Sequence, residues 1–229
     1  MDGWKLVWSD AGTRDWEKEW FLDGLKATVT NTPEGLVLKT GPLEGGDSSH
    51  GVLWTRRSFA GDLRVEYDFT RLDSATEHTS VCILYMQATG TGVGPYVADI
   101  FEWRKLREVP KMSLYYDNMN CLHISYACSG PKDANYVRAR RYPSKGSFDK
   151  DTRVEPSYDN VDLFKPGEMW HMAFEKVGKD LSFTATHGQD KHVWKWDVSK
   201  FPPVTEGRLG LRQMRFRESR YANFQVYQR

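Results

Sequence analysis

The apolar residues of this chain recur with a period of two rather than 3.6. Short segments of alternating apolar and polar residues run along the whole length, bounded by Gly, Pro, Asn or Asp, and helical periodicity is nearly absent. LRVEYDF sets Leu63, Val65, Tyr67 and Phe69 on one face and Arg64, Glu66 and Asp68 on the other. LKATVTNTPEGLVLKT reads as a hairpin turning at Thr32, Pro33, Glu34 and Gly35. SVCILYMQA is apolar nearly throughout, as in a strand covered on both faces. MNCLHISYA, EMWHMAFEKV, LSFTATHG, HVWKWDV, RLGLRQMRF and YANFQVYQR continue the series. The pattern predicts an all-β fold, a two-sheet antiparallel β-sandwich of the jelly-roll kind. Sandwiches of roughly 200–250 residues often form one unit, so the 229 residues are expected to make a single domain over 1–229.

Charge narrows the partners. Lys and Arg total 32 against 31 Asp and Glu, a formal charge of +1, which supplies no net basic field for a phosphate backbone. Nucleic acid is not an expected partner. The apolar runs, such as Val81 to Met86, fall far short of the ~20 residues that span a bilayer, so no membrane is expected either. The opening MDGWKLVWSD lacks the cationic and apolar regions of a secretion signal. The expected location is periplasmic or secreted, with the signal peptide absent from this sequence, and cytoplasmic is the alternative. Cys82, Cys121 and Cys128 lack metal-ligand spacing and read as buried thiols. Nine Trp and an aromatic content of 14% exceed what a core needs and suggest a stacking surface.

Two long polar stretches with interleaved aromatics, Thr89 to Asn118 and Ser129 to Pro166, read as loops, and loops on a rigid sandwich commonly carry binding groups. Between them, MNCLHISYA places Leu122, Ile124 and Tyr126 on one face and Cys121, His123 and Ser125 on the other. His123 is either a general base on a cleft-facing strand or a buried histidine held by structural hydrogen bonds. YVRARRYP sets Arg138, Arg140 and Arg141 between Tyr136 and Tyr142, suited to an acidic sugar or to a solvated loop. If this segment is extended, Arg138 and Arg140 share one face and Arg141 takes the other. Asp99, Glu102, Trp103, Arg104 and Arg107 cluster in the first long stretch. LGLRQM puts Arg212 and Gln213 on opposite faces, and ILYMQ aims Tyr85 and Gln87 to one side. The ExDxxE pattern that aligns two carboxylates in many sandwich glycosidases is missing.

DNMNCLHISYA, the Arg-rich segment after it, and the closing GLRQM and RYANFQVY together resemble the YesU-like family of bacterial domains of unknown function. HGVLWTRRSFAGDLRVEYDF and ILYMQATG extend the similarity over most of the chain. The resemblance implies a concanavalin A-like lectin/glucanase sandwich with a concave face, and a bacterial setting in polysaccharide breakdown, often alongside enzymes acting on uronate-containing glycans. Asn120, His123, Tyr126, Arg212 and Gln213 fall in the shared motifs. The segment YVRARRYPSKGSF departs from the family pattern, where a shorter Asn-Leu-Arg-Lys stretch follows the histidine strand, which puts the substrate in doubt. The opening WKLVWSD looks like the start of laminarinase-type sandwiches, so Asp10 is a candidate ligand for a structural Ca2+.

The expected partner is a polysaccharide or oligosaccharide, with no cofactor needed for the chemistry. The leading expectation is a lyase cleaving a uronic-acid glycan by β-elimination. In it His123 is the base, Tyr136 the acid, and Arg138 or Arg140 with Gln87 the carboxylate clamp. Glu102, Trp103, Arg104, Asn120, Arg212 and Gln213 are the further substrate-binding candidates. The alternatives are a glycoside hydrolase using Asp99 and Glu102 or Glu66 and Asp68, and a non-catalytic carbohydrate-binding module.

Overall fold

Alternation becomes two facing sheets in the computed structural model, which describes residues 3–131 and 135–229. Residues 132–134 of the second long stretch, with Met1 and Asp2, lie outside the described residues. The strands are β1 (Lys5–Asp10), β2 (Trp20–Asp23), β3 (Thr28–Thr32), β4 (Gly35–Lys39), β5 (Gly51–Ala60), β6 (Leu63–Arg71), β7 (Ser80–Gly90) and β8 (Met119–Ser129). They continue with β9 (Tyr136–Tyr142), β10 (Arg153–Asp159), β11 (Met169–Val177), β12 (Asp180–His187), β13 (Asp190–Asp197), β14 (Glu206–Gln213) and β15 (Glu218–Gln228). Among the described residues one sheet runs β13-β12-β11-β6-β15-β4-β3, with β1 also on β15, and the other runs β10-β9-β8-β7-β14-β5-β2. Every pairing is antiparallel.

The apolar faces meet between the sheets. Leu63, Val65, Tyr67 and Phe69 of β6 pack against Leu122, Ile124 and Tyr126 of β8 and Leu84 and Met86 of β7. Burial of such side chains contributes about 1.5–3 kcal/mol each. The two tyrosines share a hydrogen bond across the interior, Tyr67 Oη to Tyr126 Oη at 2.8 Å, so their hydroxyls are not left unpaired there.

A second apolar cluster covers the outer face of the seven-stranded sheet: Trp54 of β5, Tyr85 of β7, Cys121 of β8, and Ile100, Trp103 and Tyr115 from the β7–β8 connection. Trp54 stacks on Tyr85 at 5.4 Å and lies parallel to Tyr115 at 6.4 Å. This is why SVCILYMQA needs no polar face: both of its sides are covered. The covering segment includes helix α1 (Met112–Asn118), whose Met112, Tyr115 and Tyr116 recur at helical spacing. It is tied to the sheet through Asp23 of β2, which accepts from Arg107 Nε at 2.6 Å, Trp54 Nε1 at 2.7 Å and Tyr115 Oη at 3.1 Å.

The second long stretch is not a loop throughout. YVRARRY is β9, paired with β8, and residues 153–159 form β10 at the sheet edge, with the short helix α2 (Phe148–Thr152) between them. The expectation for Gln87 also changes. Two residues of β7 oppose one on each neighbour, Gln87 and Ala88 against Cys121 of β8 and Met86 and Gln87 against Leu209 of β14, a bulge with Gln87 at φ 54°, so alternation breaks there. Gln87 Nε2 instead donates to the carbonyls of Phe59, Gly61 and Thr205.

Candidate functional site

A cleft of about 240 Å³ opens on the outer face of the seven-stranded sheet. Its floor is built by period-two geometry: Val81 and Ile83 of β7, His123 and Ser125 of β8, and Tyr136, Arg138 and Arg140 of β9 all point to the same side. Met112 and Tyr116 of α1 and Phe148 of α2 form the roof, with Tyr116 and Phe148 in ring contact at 4.6 Å.

His123 is buried, 3% exposed. Its Nδ1 lies 2.6 Å from Tyr142 Oη, while Nε2 has no partner among the described residues. Burial holds its pKa well below the ordinary histidine range, and the charges of Arg140 and Arg212 push the same way. The imidazole is therefore neutral near pH 7. Burial likewise raises the Tyr136 phenol, which keeps its proton.

Both cleft arginines are already paired. Arg138 donates to Ser157 Oγ and to Asp159 Oδ1, each at 2.7 Å, and its guanidinium lies 3.9 Å over the Tyr136 ring. Arg140 donates to Asp149 Oδ1 at 2.7 Å and Thr152 Oγ1 at 3.1 Å and stacks on Phe148 at 4.1 Å. The cleft consequently combines aromatic walls, an unpartnered ring nitrogen and little net charge.

The structure brings His123, Tyr136, Arg138 and Arg140 together and places the other candidates elsewhere. Gln87 is held at the bulge described above, so it does not join Arg138 or Arg140 as a clamp. Gln213 points between the sheets, its amide 3.0 Å from Tyr221 Oη, and Tyr126 faces the same interior. Arg212 is buried under the covering segment, donating to Pro110 O at 2.7 Å and His50 Nδ1 at 2.9 Å. Trp103 Nε1 donates to Val97 O at 3.1 Å, Arg104 stacks on Phe101 at 3.8 Å, and Glu102 is exposed on the same segment. Asn120 Nδ2 donates to Gly90 O at 3.2 Å, and alternation along β8 sets it on the face opposite His123.

One carboxylate of each candidate pair is committed as well. Asp99 accepts two hydrogen bonds from Arg208 Nη2 at 2.9 Å, and Asp68 accepts from Asn223 at 2.7 Å and lies 3.0 Å from His171 Nδ1. Asp10 accepts from Trp20 Nε1 at 2.7 Å and from the Gly12 amide at 2.9 Å, one bond on each oxygen. Both Asp10 oxygens are therefore already engaged within the protein, and among the described residues no group of three His, Cys, Asp or Glu side chains gathers that could hold a metal ion. Sequence reasoning missed the roof. Its signal was the helical spacing in MSLYYDN and the lone Phe148 ahead of the β10 run.

The sandwich is similar to a galectin-like protein of unknown function from Bacillus subtilis, with TM-score 0.73, 19% identity, and 97% and 96% of the two chains covered. It also matches a legume lectin-like domain from Entamoeba histolytica, with TM-score 0.61, 7% identity and coverage of 93% and 92%. The carbohydrate-binding module CBM66 from Bacillus subtilis aligns with TM-score 0.51 and 13% identity over 91% and 94%. These likenesses establish a concanavalin A-like fold of the lectin type. In sequence, YesU of Bacillus subtilis strain 168 is 26% identical over 187 residues, 80% of this chain and 79% of YesU. The model of the domain of unknown function DUF1961 matches residues 9–226, and the chain belongs to that family.

Proposed function

We propose that this protein is a non-catalytic carbohydrate-binding protein that takes a single sugar unit in the cleft above His123. The observation that carries the reading is the cleft's composition: Tyr116, Tyr136 and Phe148 as apolar walls around the unpartnered Nε2 of His123 and the hydroxyl of Ser125. Sugar rings offer apolar C–H faces and polar rims, which such a site matches. The volume of about 240 Å³ falls below the roughly 300–1,000 Å³ of sites that engulf a drug-sized ligand. A terminal or branching sugar fits that size better than a long stretch of polymer. Lectin-like and carbohydrate-binding neighbours support the assignment of ligand class.

The β-eliminating lyase is the second reading, favoured by the convergence of His123, Tyr136, Arg138 and Arg140. Two features weigh against it. A base works best with a pKa near the operating pH, and burial lowers that of His123 far below it. The clamp arginines are already neutralised by Asp149 and Asp159.

Calorimetric titration with a panel of neutral mono- and oligosaccharides tests the proposal. A member of the panel should bind, and Tyr116→Ala should weaken it about tenfold, on the scale of one stacked aromatic. Unchanged affinity in Tyr116→Ala removes the cleft as the site. A rise in ultraviolet absorbance from unsaturated product on a uronate glycan, lost in His123→Ala, would replace this reading with the lyase.

A further inference from the structure

On the far side of α2 from the His123 cleft, the sandwich end holds a second cavity of about 420 Å³, lined by Asn120, Arg141, Lys145, Asp151, Lys200 and Pro202 among others. Alternation along β9 produces it: Arg138 and Arg140 turn into the cleft, and Arg141 turns the opposite way, toward the gap between the sheets. Unlike its two neighbours, Arg141 has no carboxylate partner among the described residues. It is 4% exposed, and among the described residues its side chain makes one hydrogen bond, from Nε to Pro202 O at 3.0 Å. Lys145 and Lys200 are exposed at the rim; neither makes a close ion pair among the described residues, although the charge of Lys145 is felt by Asp151.

Asp151 is the one acid in the lining. Its Oδ2 accepts from the amides of Lys145 and Ser147, both at 2.8 Å, and from Ser144 Oγ at 3.4 Å, which fixes it as a turn-holding group. Three cations against one tied carboxylate leave the cavity positive. A further cavity of about 200 Å³ shares Arg141 and adds Lys176 and Lys179, with no acid in its lining. Lys176 is 4% exposed and donates to Val204 O at 2.7 Å, and Lys179 is held by Asp180 and Asp197. A buried guanidinium without a counter-charge is costly, and an oxyanion that presents two oxygens side by side matches its fork.

We infer that the Arg141 cavity is a subsite for an oxyanion carried on a sugar, a uronate carboxylate or a sulfate ester, with Lys145 and Lys200 as rim contacts. The inference rests on the carbohydrate reading above but uses a different face of β9 and different residues. It also relocates charge recognition, which sequence reasoning assigned to Arg138 and Arg140, to the arginine between Arg140 and Tyr142.

The full chain is titrated at low ionic strength with galacturonate, galactose 6-sulfate, uncharged galactose and inorganic sulfate. At least one anionic sugar should bind about tenfold more tightly than galactose, the scale of a charge-assisted hydrogen bond. Lys145→Gln/Lys200→Gln, a surface pair whose loss leaves the fold intact, should abolish that margin and leave neutral-sugar binding unchanged. Arg141→Gln should do the same if it folds, and the surface pair decides the matter if it does not. Which of the two anionic sugars binds identifies the oxyanion. Equal affinity for galactose and both anionic sugars, a margin untouched by the double variant, or inorganic sulfate binding as tightly as either sugar would overturn the subsite. Neutral-sugar binding unchanged in Tyr116→Ala, with the anionic margin present and lost in the double variant, would count against the cleft alone.

Discussion

His123 and His50 are buried as neutral rings, and that choice has a cost at low pH. Burial and the nearby Arg212 lower the His50 pKa to about 3, and burial with Arg140 and Arg212 lowers that of His123 well below its usual value. In the unfolded chain both titrate near the ordinary ~6.5. Below that value the unfolded state binds protons that the native state refuses, so the stabilisation is complete above about pH 6.5 and is lost as pH falls toward the native pKa values. Each histidine adds at most about 1.4 kcal/mol of lost stability per pH unit. His123→Gln should therefore show a shallower loss than the parent between pH 6.5 and 4.5 in urea melts. Parallel curves for the two proteins would mean that His123 is not buried uncharged.

At the level of elements, the connection between β7 and β8 is held to β2 by a buried ion pair. Arg107 and Asp23 are both fully buried, and Trp54 and Tyr115 complete the carboxylate's hydrogen bonds. Breaking such a pair from one side strands a charge and costs about 3–5 kcal/mol. Arg107→Met should lower unfolding free energy by that amount, whereas Arg212→Met strands no carboxylate and should cost distinctly less. Equal losses in chemical denaturation would contradict this contrast. The same elements mark the limits of sequence reading. The paired faces of β6 and β8 were legible because their apolar residues alternate. β9 was not, since its Arg138 and Arg140 look like loop residues until Asp159 and Asp149 neutralise them across space. β10 carries Pro156, which reads as a breaker and is tolerated because β10 lies at the sheet edge. Gln87 was misplaced because a bulge has no signature in a run of apolar residues. Gly207 opposite it was the available hint: its φ is 141°, and a Cβ there would meet the Gln87 carbonyl carbon at 2.4 Å.

For the molecule as a whole, the sequence carried the sandwich and the face on which His123 sits, and it left the site's lining to be found. The roof and the second cavity depend on contacts between segments far apart in the chain, which no local pattern encodes. They place an aromatic cleft with little net charge on one surface of β9 and a cationic cavity on the other. The anchoring of the covering segment at Asp23 has a kinetic meaning too. A cover fastened by a buried ion pair opens far more slowly than a ligand diffuses, so the cleft must be entered through its open side, without waiting for a gate. Observed association rates in stopped-flow mixing should then rise in proportion to sugar concentration with no plateau, as for a receptor already in its receiving shape. A rate that levels off at high sugar would reveal a slow step of opening, and Asp23 would then be a latch rather than a rivet.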